Sequence, residues 1–335
     1  MKILLCSHPF APSVGGIETI SRILAEEFTK AGEEVTVVTA SPDPSNSLTF
    51  PYRVVRQPSR QLLRELGKQS DLIFQSNIST QTMLPLLTVG KPIVVVTHTW
   101  IARNDGSLAW QDRLKRFLLR FAKNIAISKA IGDSLPVSST VIWNPFEAEL
   151  FTPLRGTPKT KDIVFLGRLV SDKGCDLAIQ ALALLKAEGL TPSLTVIGDG
   201  SERKALETMV ETFGLGDQIR FLGNLGHDRA AELAKHRIMV VPSRWVEPFG
   251  VVALEGIATG CALVASNKGG LPDAVGPCGL LFPNNDVAAL AAALKQVLTD
   301  EATRSRLTDA GLEHIQNFLP GNVAKKYLEF FRRYA

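Results

Sequence analysis

The chain has 335 residues, 45% of them hydrophobic and 21% charged. This balance excludes intrinsic disorder and collagen-like repeats and, at roughly 100–200 residues per domain, predicts two domains with sizeable cores. The formal net charge is +4, and all of it lies in the first half: residues 1–155 hold 17 Lys+Arg against 13 Asp+Glu, and residues 156–335 hold 20 of each. So small an excess argues against a dedicated nucleic-acid binder and leaves an anionic small ligand or a membrane surface as partners.

In chain order, Ile3 to Cys6 reads as a first strand, and the chain turns polar at Ser7-His8-Pro9, too soon for a secretory signal. Ile17, Ile20, Leu24 and Phe28 recur at helical spacing before Gly32, and Val35 to Thr39 reads as a second strand. Further strands are expected at Leu72 to Phe74, Ile93 to Thr97, Ile125 to Ser128 and Val141 to Trp143. Asn144-Pro145 opens a Pro- and Gly-bearing stretch through Lys161, the best linker candidate. The alternation resumes with Asp162 to Gly167, a helix over Asp176 to Glu188, and strands at Leu194 to Ile197, Ile219 to Leu222, Ile238 to Val241 and Ala262 to Ala265. The tail from Ala302 reads as helix, broken at Pro320-Gly321.

Strand–helix alternation of this kind predicts two doubly wound α/β halves, 1–155 and 156–318, with a terminal helix over 319–335. Ligands then belong at the carboxyl ends of the strands, in a cleft faced by both halves. No run of about 18 apolar residues is free of charge, since Glu255 interrupts Phe249 to Ala265. Cys6, Cys175, Cys261 and Cys278 show neither C-x-x-C nor zinc-finger spacing. A cytoplasmic protein without a transmembrane helix is therefore expected.

Five constellations fall just after expected strands. Pro12 to Gly16 brings Gly15 and Gly16 to a helix start, suited to a phosphate or sugar oxygen and equally to an ordinary turn. Gly167 to Gly174 sets Arg168 and Lys173 in one loop, a pair that can neutralise a diphosphate or simply be solvated. Gly198-Asp199-Gly200 resembles the start of a dinucleotide fingerprint but has Arg203 where the third glycine belongs. Glu247 and Glu255 bracket seven residues, with Phe249, Gly250 and Val251 at a helix start between them. A helix start favours anions, the two carboxylates can accept from hydroxyls, and Glu255 in so apolar a segment requires a partner. His98 ends the strand Ile93 to Thr97; a lone histidine is more often structural than catalytic.

Taken together, these motifs resemble a retaining glycosyltransferase of the GT4 family with the GT-B fold, in the expected order over nearly the whole chain. The resemblance implies that Arg168 and Lys173 bind the diphosphate of a nucleotide sugar, aided by the backbone of Phe249, Gly250 and Val251. It further implies that Glu255 holds the ribose, that Glu247 contacts the donor sugar, and that Gly15, Gly16 and Gly198 let backbone approach the donor. His98 would stand beside the anomeric centre, and the tail after Pro320 would cross back to the first domain. Retention by front-side attack follows from the resemblance. No Asp-x-Asp occurs, so no essential metal and no cofactor is expected beyond the donor substrate. Thr99 stands where many relatives carry Asp, and Asp273 ends a Gly-Gly-Leu-Pro-Asp run where Glu is common.

The acceptor is expected to be a glycan or a lipid-linked hydroxyl. Residues 110–123 combine five cations with apolar and aromatic side chains, which fits a helix lying on the cytoplasmic membrane face as well as an ordinary surface helix. The competing readings are a GT-B nucleotide-sugar hydrolase or epimerase, an NAD-dependent oxidoreductase resting on Gly198-Asp199-Gly200, and a non-catalytic nucleotide-sugar binder.

Overall fold

The computed structural model describes residues 1–13, 15–43, 48–103 and 105–335. Two units are distinguished, Met1–Phe146 together with Phe318–Ala335, and Glu147–Asn317.

The first unit is built on β1 (Lys2–Ser7), β2 (Glu34–Thr39), β3 (Arg53–Arg56), β4 (Leu72–Ser76), β5 (Ile93–Thr97), β6 (Lys123–Ala126) and β7 (Thr140–Val141). They form one parallel sheet in the order β3-β2-β1-β4-β5-β6-β7. Leu4, Ile73 and Val95 are buried in the central strands, because helices cover both faces of a parallel sheet and demand continuous apolar runs. From β1 the chain winds outward to β3, then returns to the other side of β1 as β4. The connections therefore diverge above the carboxyl ends of β1 and β4 and leave a crevice there.

The helix Gly16–Lys30 buries Ile20, Leu24 and Phe28, as their spacing predicts, and Ser21 with them. Phe28 and Phe74 pack against Phe331 of the helix Pro320–Phe331, with ring centroids 5.6 and 5.1 Å apart, which holds the chain's last segment on this unit.

The second unit carries β8 (Lys161–Leu166), β9 (Leu194–Ile197), β10 (Ile219–Gly223), β11 (His236–Val241), β12 (Ala262–Ser266) and β13 (Gly279–Phe282), again all parallel, in the order β10-β9-β8-β11-β12-β13. The winding is the same, so the crevice lies above β8 and β11. Ile163, Val196, Val240 and Val264 form the core with the helices Cys175–Ala187 and Val287–Thr299. Residues 147–155, expected with the first domain, belong to this unit. Phe151 is fully buried, and the Arg155 guanidinium donates to Ile257 O at 2.6 Å and to Thr308 O.

Two strands escape the sequence pattern, β3 and β13, and both are sheet edges. The strand expected from Ile125 to Ser128 runs from Lys123 to Ala126, and that expected from Val141 to Trp143 is the short β7. Among the described residues no helix is long and apolar enough to cross a membrane.

Candidate active site

In the second unit, the carboxyl ends of β8 and β11 frame a pocket of about 230 Å³. Lys173, Arg229, Ser243, Glu247 and Glu255 supply its charged and hydroxyl side chains, and Phe165, Val241 and Val252 its apolar ones. The loop leaving β8 reaches it because three glycines allow backbone to touch backbone. Gly174 (φ +69°) lies against Pro242 O, Gly198 (φ +133°) against Gly167 O, and Gly200 against Leu169 O; a Cβ at any of them would overlap that oxygen. Gly198 is thus required by chain packing, and it is not on the pocket wall. The Asp199 and Glu202 backbones are tied to the same loop, by Leu169 N to Asp199 O at 2.9 Å and Glu202 N to Leu169 O at 3.0 Å.

The loop after β11 is bound to the first. Arg244 N and Trp245 N both donate to Asp172 O, at 2.9 and 3.0 Å. The Arg244 guanidinium grips both oxygens of Asp176 at 2.6 Å, a bidentate geometry only arginine offers. Gly270 N donates to Glu247 O at 2.7 Å, so the backbone bearing Glu247 is held from the other side too.

Lys173 Nζ lies 2.5 Å from Glu247 Oε1, which also accepts from Ser243 Oγ at 2.9 Å. Glu255 Oε1 accepts from Arg229 Nη2 at 3.2 Å. Oε2 of each glutamate has no protein partner among the described residues. Arg229 is itself fixed by Glu147 at 3.0 Å and by stacking 5.1 Å above the Phe151 ring. Burial pushes the Glu255 carboxyl up to about 7, against the pull of Arg229. Desolvation therefore outweighs the ion pair, and the carboxyl stands near the point of taking up a proton.

Arg168 is exposed, and its guanidinium has no partner among the described residues. Gly250 (φ +110°) opens the helix Val251–Ala258, whose first N–H groups have no helical acceptor. Phe249 is buried, so only its backbone is available to a ligand. The structure thus brings Lys173, Glu247 and Glu255 onto one pocket wall, sets Arg168 free in the adjoining loop, and places Gly250 and Val251 at the helix start. Arg229, Ser243 and Glu147 were not singled out from the sequence, although the burial of Glu255 called for a cation such as Arg229. Among the described residues no group of three or more His, Cys, Asp or Glu side chains is placed to hold a metal ion.

In the first unit His98 follows β5 directly and is 5% exposed. Burial pushes its imidazole down to about 4, so the ring is neutral at pH 7. Its Nε2 lies 3.2 Å from Ser76 Oγ, and its backbone N donates to Asn77 Oδ1 at 3.4 Å. Gly15 is the extended N-cap of the helix Gly16–Lys30, and open space surrounds the Cα of Gly16; Val14 between these and Ser13 lies outside the described residues.

Comparison with known proteins identifies two family models. "Glycosyl transferases group 1" matches residues 148–314, and "Glycosyltransferase Family 4" matches residues 14–137. Glycogen synthase of Mycobacterium tuberculosis is 33% identical over 94% of this chain and 90% of its own length. Phosphatidyl-myo-inositol mannosyltransferase of Mycobacterium leprae is 26% identical over 99% and 96%. Among solved structures, Anabaena HepE in complex with UDP superposes with a TM-score of 0.82 at 22% identity, covering 99% of this chain and all of that one. The architecture these neighbours share is the GT-B fold expected from the sequence.

Proposed function

The chain belongs to the GT4 family of glycosyltransferases and moves a sugar from a nucleotide sugar, and from that premise we propose how it does so. The single observation that carries the reading is the pocket wall where Lys173–Glu247 and Arg229–Glu255 stand side by side above β8 and β11. Arg168 and Lys173 bind the donor diphosphate with the N–H groups at the start of Val251–Ala258. Glu255 takes the ribose hydroxyls through its unpaired Oε2, and Glu247 does the same for a hydroxyl of the sugar. His98, with Gly15 and Gly16, serves the transferred sugar and the acceptor.

Transfer proceeds with retention. The acceptor oxygen bonds to the anomeric carbon on the face the diphosphate leaves, the carbon–oxygen bond to phosphate breaks, and the acceptor proton passes to the departing phosphate oxygen. Negative charge grows on the diphosphate as this happens. Lys173, held by Glu247, and the helix N–H groups are in place beforehand and stabilise that charge without reorganisation, an effect worth roughly 3–4 kcal/mol for a single well-placed donor. These charges take the part a metal would otherwise play, so no metal is required.

The acceptor is a glycan or lipid-linked hydroxyl, as in the two named relatives. A lipid-linked acceptor is supported by the helix Trp110–Leu118 and the turn after it, where Trp110, Phe117 and Phe121 are 71%, 51% and 54% exposed among Arg113, Lys115, Arg116, Arg120 and Lys123. Such a surface suits peripheral contact with an anionic membrane and would keep the enzyme on its cytoplasmic face.

The test is incubation with a panel of nucleotide sugars, with and without lipid extract, following nucleotide release and the anomeric configuration of the product by NMR. Release that depends on acceptor, with the configuration kept and EDTA without effect, is expected. Inverted product, or loss in EDTA restored by manganese, would overturn the corresponding step; acceptor-independent release would favour the hydrolase reading.

A further inference from the structure

Behind His98 runs a file of buried hydroxyls. Ser7 Oγ ends β1, Ser21 Oγ comes from the helix Gly16–Lys30, and Ser76 Oγ ends β4; all three are at most 1% exposed. Ser7 Oγ lies 2.7 Å from Pro9 O and 2.9 Å from Ser21 Oγ. Ser21 Oγ lies 2.7 Å from Ser76 Oγ, and Ser76 Oγ 3.2 Å from His98 Nε2. Four contacts thus join one carbonyl, three hydroxyls and one ring nitrogen.

A hydroxyl has a single proton, and a carbonyl oxygen can only accept. Ser7 must therefore donate to Pro9 O, which leaves its oxygen as an acceptor for Ser21. Ser21, having donated, accepts from Ser76, and Ser76, having donated, accepts from His98. Only this direction places one proton in every contact. Reversing the last link would leave two oxygens of the file in contact with no proton between them, in a site where water cannot compensate.

We infer that the Ser7–Ser21–Ser76 file, oriented from the Pro9 carbonyl, holds His98 as the tautomer protonated at Nε2 and so leaves Nδ1 as the ring's acceptor. Ser76 and Ser21 are then positioning residues that act through the ring. Nδ1 is buried and has no hydrogen-bond partner among the described residues, so no contact on that side of the ring opposes the direction set by the file. The tautomer does not rest on the transferase reading of His98.

The test is long-range proton–nitrogen NMR of histidine-labelled protein without substrate, His98 being assigned among the five histidines by its loss in His98→Gln. The wild type is expected to show His98 as a neutral ring protonated at Nε2. Ser76→Ala should give a mixture of the two tautomers, and Ser76→Thr, which keeps the hydroxyl and suits a strand, should restore the single form. Ser21→Ala, which leaves Ser76 free to reverse, should give a mixture as well. An Nδ1-protonated ring in the wild type, or an unmixed Nε2-protonated ring in both alanine variants, would overturn the inference. If the tautomers behave as expected and His98→Gln still transfers sugar at the wild-type rate, the file stands and the role proposed for His98 in transfer falls.

Discussion

Replacing Glu255 by Gln removes a carboxyl that the folded second unit ionises reluctantly. Burial holds this carboxyl at about 7 against an ordinary 4.5. Between those values the folded chain binds more protons than the unfolded one, so the group's contribution to stability falls as pH rises through the window. At about 1.4 kcal/mol per pH unit, the wild type carries a destabilisation of about 3 kcal/mol once the group is fully ionised, and almost none near pH 4.5. His236 works in the opposite direction, since burial lowers it to about 4 and stability is lost as pH falls from 6.5. A raw pH profile therefore mixes the two, whereas the difference between wild type and variant isolates Glu255. In the variant Arg229 keeps Glu147 and the Phe151 ring, so no cation is stranded. Native-state hydrogen exchange at the β8 and β11 amides, corrected for intrinsic rates, reads the second unit alone. Glu255→Gln should lie within about 1 kcal/mol of the wild type near pH 5 and exceed it by about 3 kcal/mol at pH 8. A difference that does not change with pH would refute the claim that desolvation dominates at this carboxyl.

The same variant should bind the nucleotide sugar more weakly by about tenfold, the scale of one hydrogen bond to a charged group, measured by calorimetry. Arg168→Ala should lower kcat by about 10²-fold with little effect on stability, because its guanidinium has no protein partner to lose; unchanged kcat would remove it from the diphosphate site. Lys173→Met should lower kcat/KM by about 10³-fold and also free Glu247 from its cation, a loss that Lys173→Arg would only partly repair because a fork replaces a point charge. Gly198→Ala should destabilise the second unit by about 2–4 kcal/mol, since a Cβ would overlap Gly167 O at a φ that side chains avoid; a neutral result in thermal unfolding would mean that the loop simply moves.

The sequence was most legible where burial is two-sided. β1, β4, β5, β8, β9 and β11 are central or near-central strands, and their apolar runs give them away. β3 and β13 sit at sheet edges, where Arg53–Arg56 has charged ends and Gly279–Phe282 begins on a glycine, so neither shows a buried run. The glutamates at 247 and 255 and the cations at 168 and 173 were legible because one loop or one helix turn sets their spacing. Gly198 was visible as a glycine but not in its purpose: the oxygen that forbids a side chain there belongs to Gly167, brought alongside by the pairing of β8 with β9.

What the sequence could not display are partners supplied by strand order. The apolar surroundings of Glu255 demand a cation, yet many arginines and lysines qualify until the fold sets the Arg229–Ala234 helix against the Val251–Ala258 helix. The hydroxyl file is a stronger case of the same limit. Ser7, Ser21, Ser76 and His98 are separated by 14, 55 and 22 residues along its links, and no local period relates them. They meet because β4 inserts between β1 and β5, and because the helix leaving β1 packs back over the divergence that insertion creates. The winding that opens a crevice for a ligand also brings the ends of three successive sheet neighbours within hydrogen-bonding reach. A histidine following the third of them can therefore inherit its proton placement from a carbonyl beside the first.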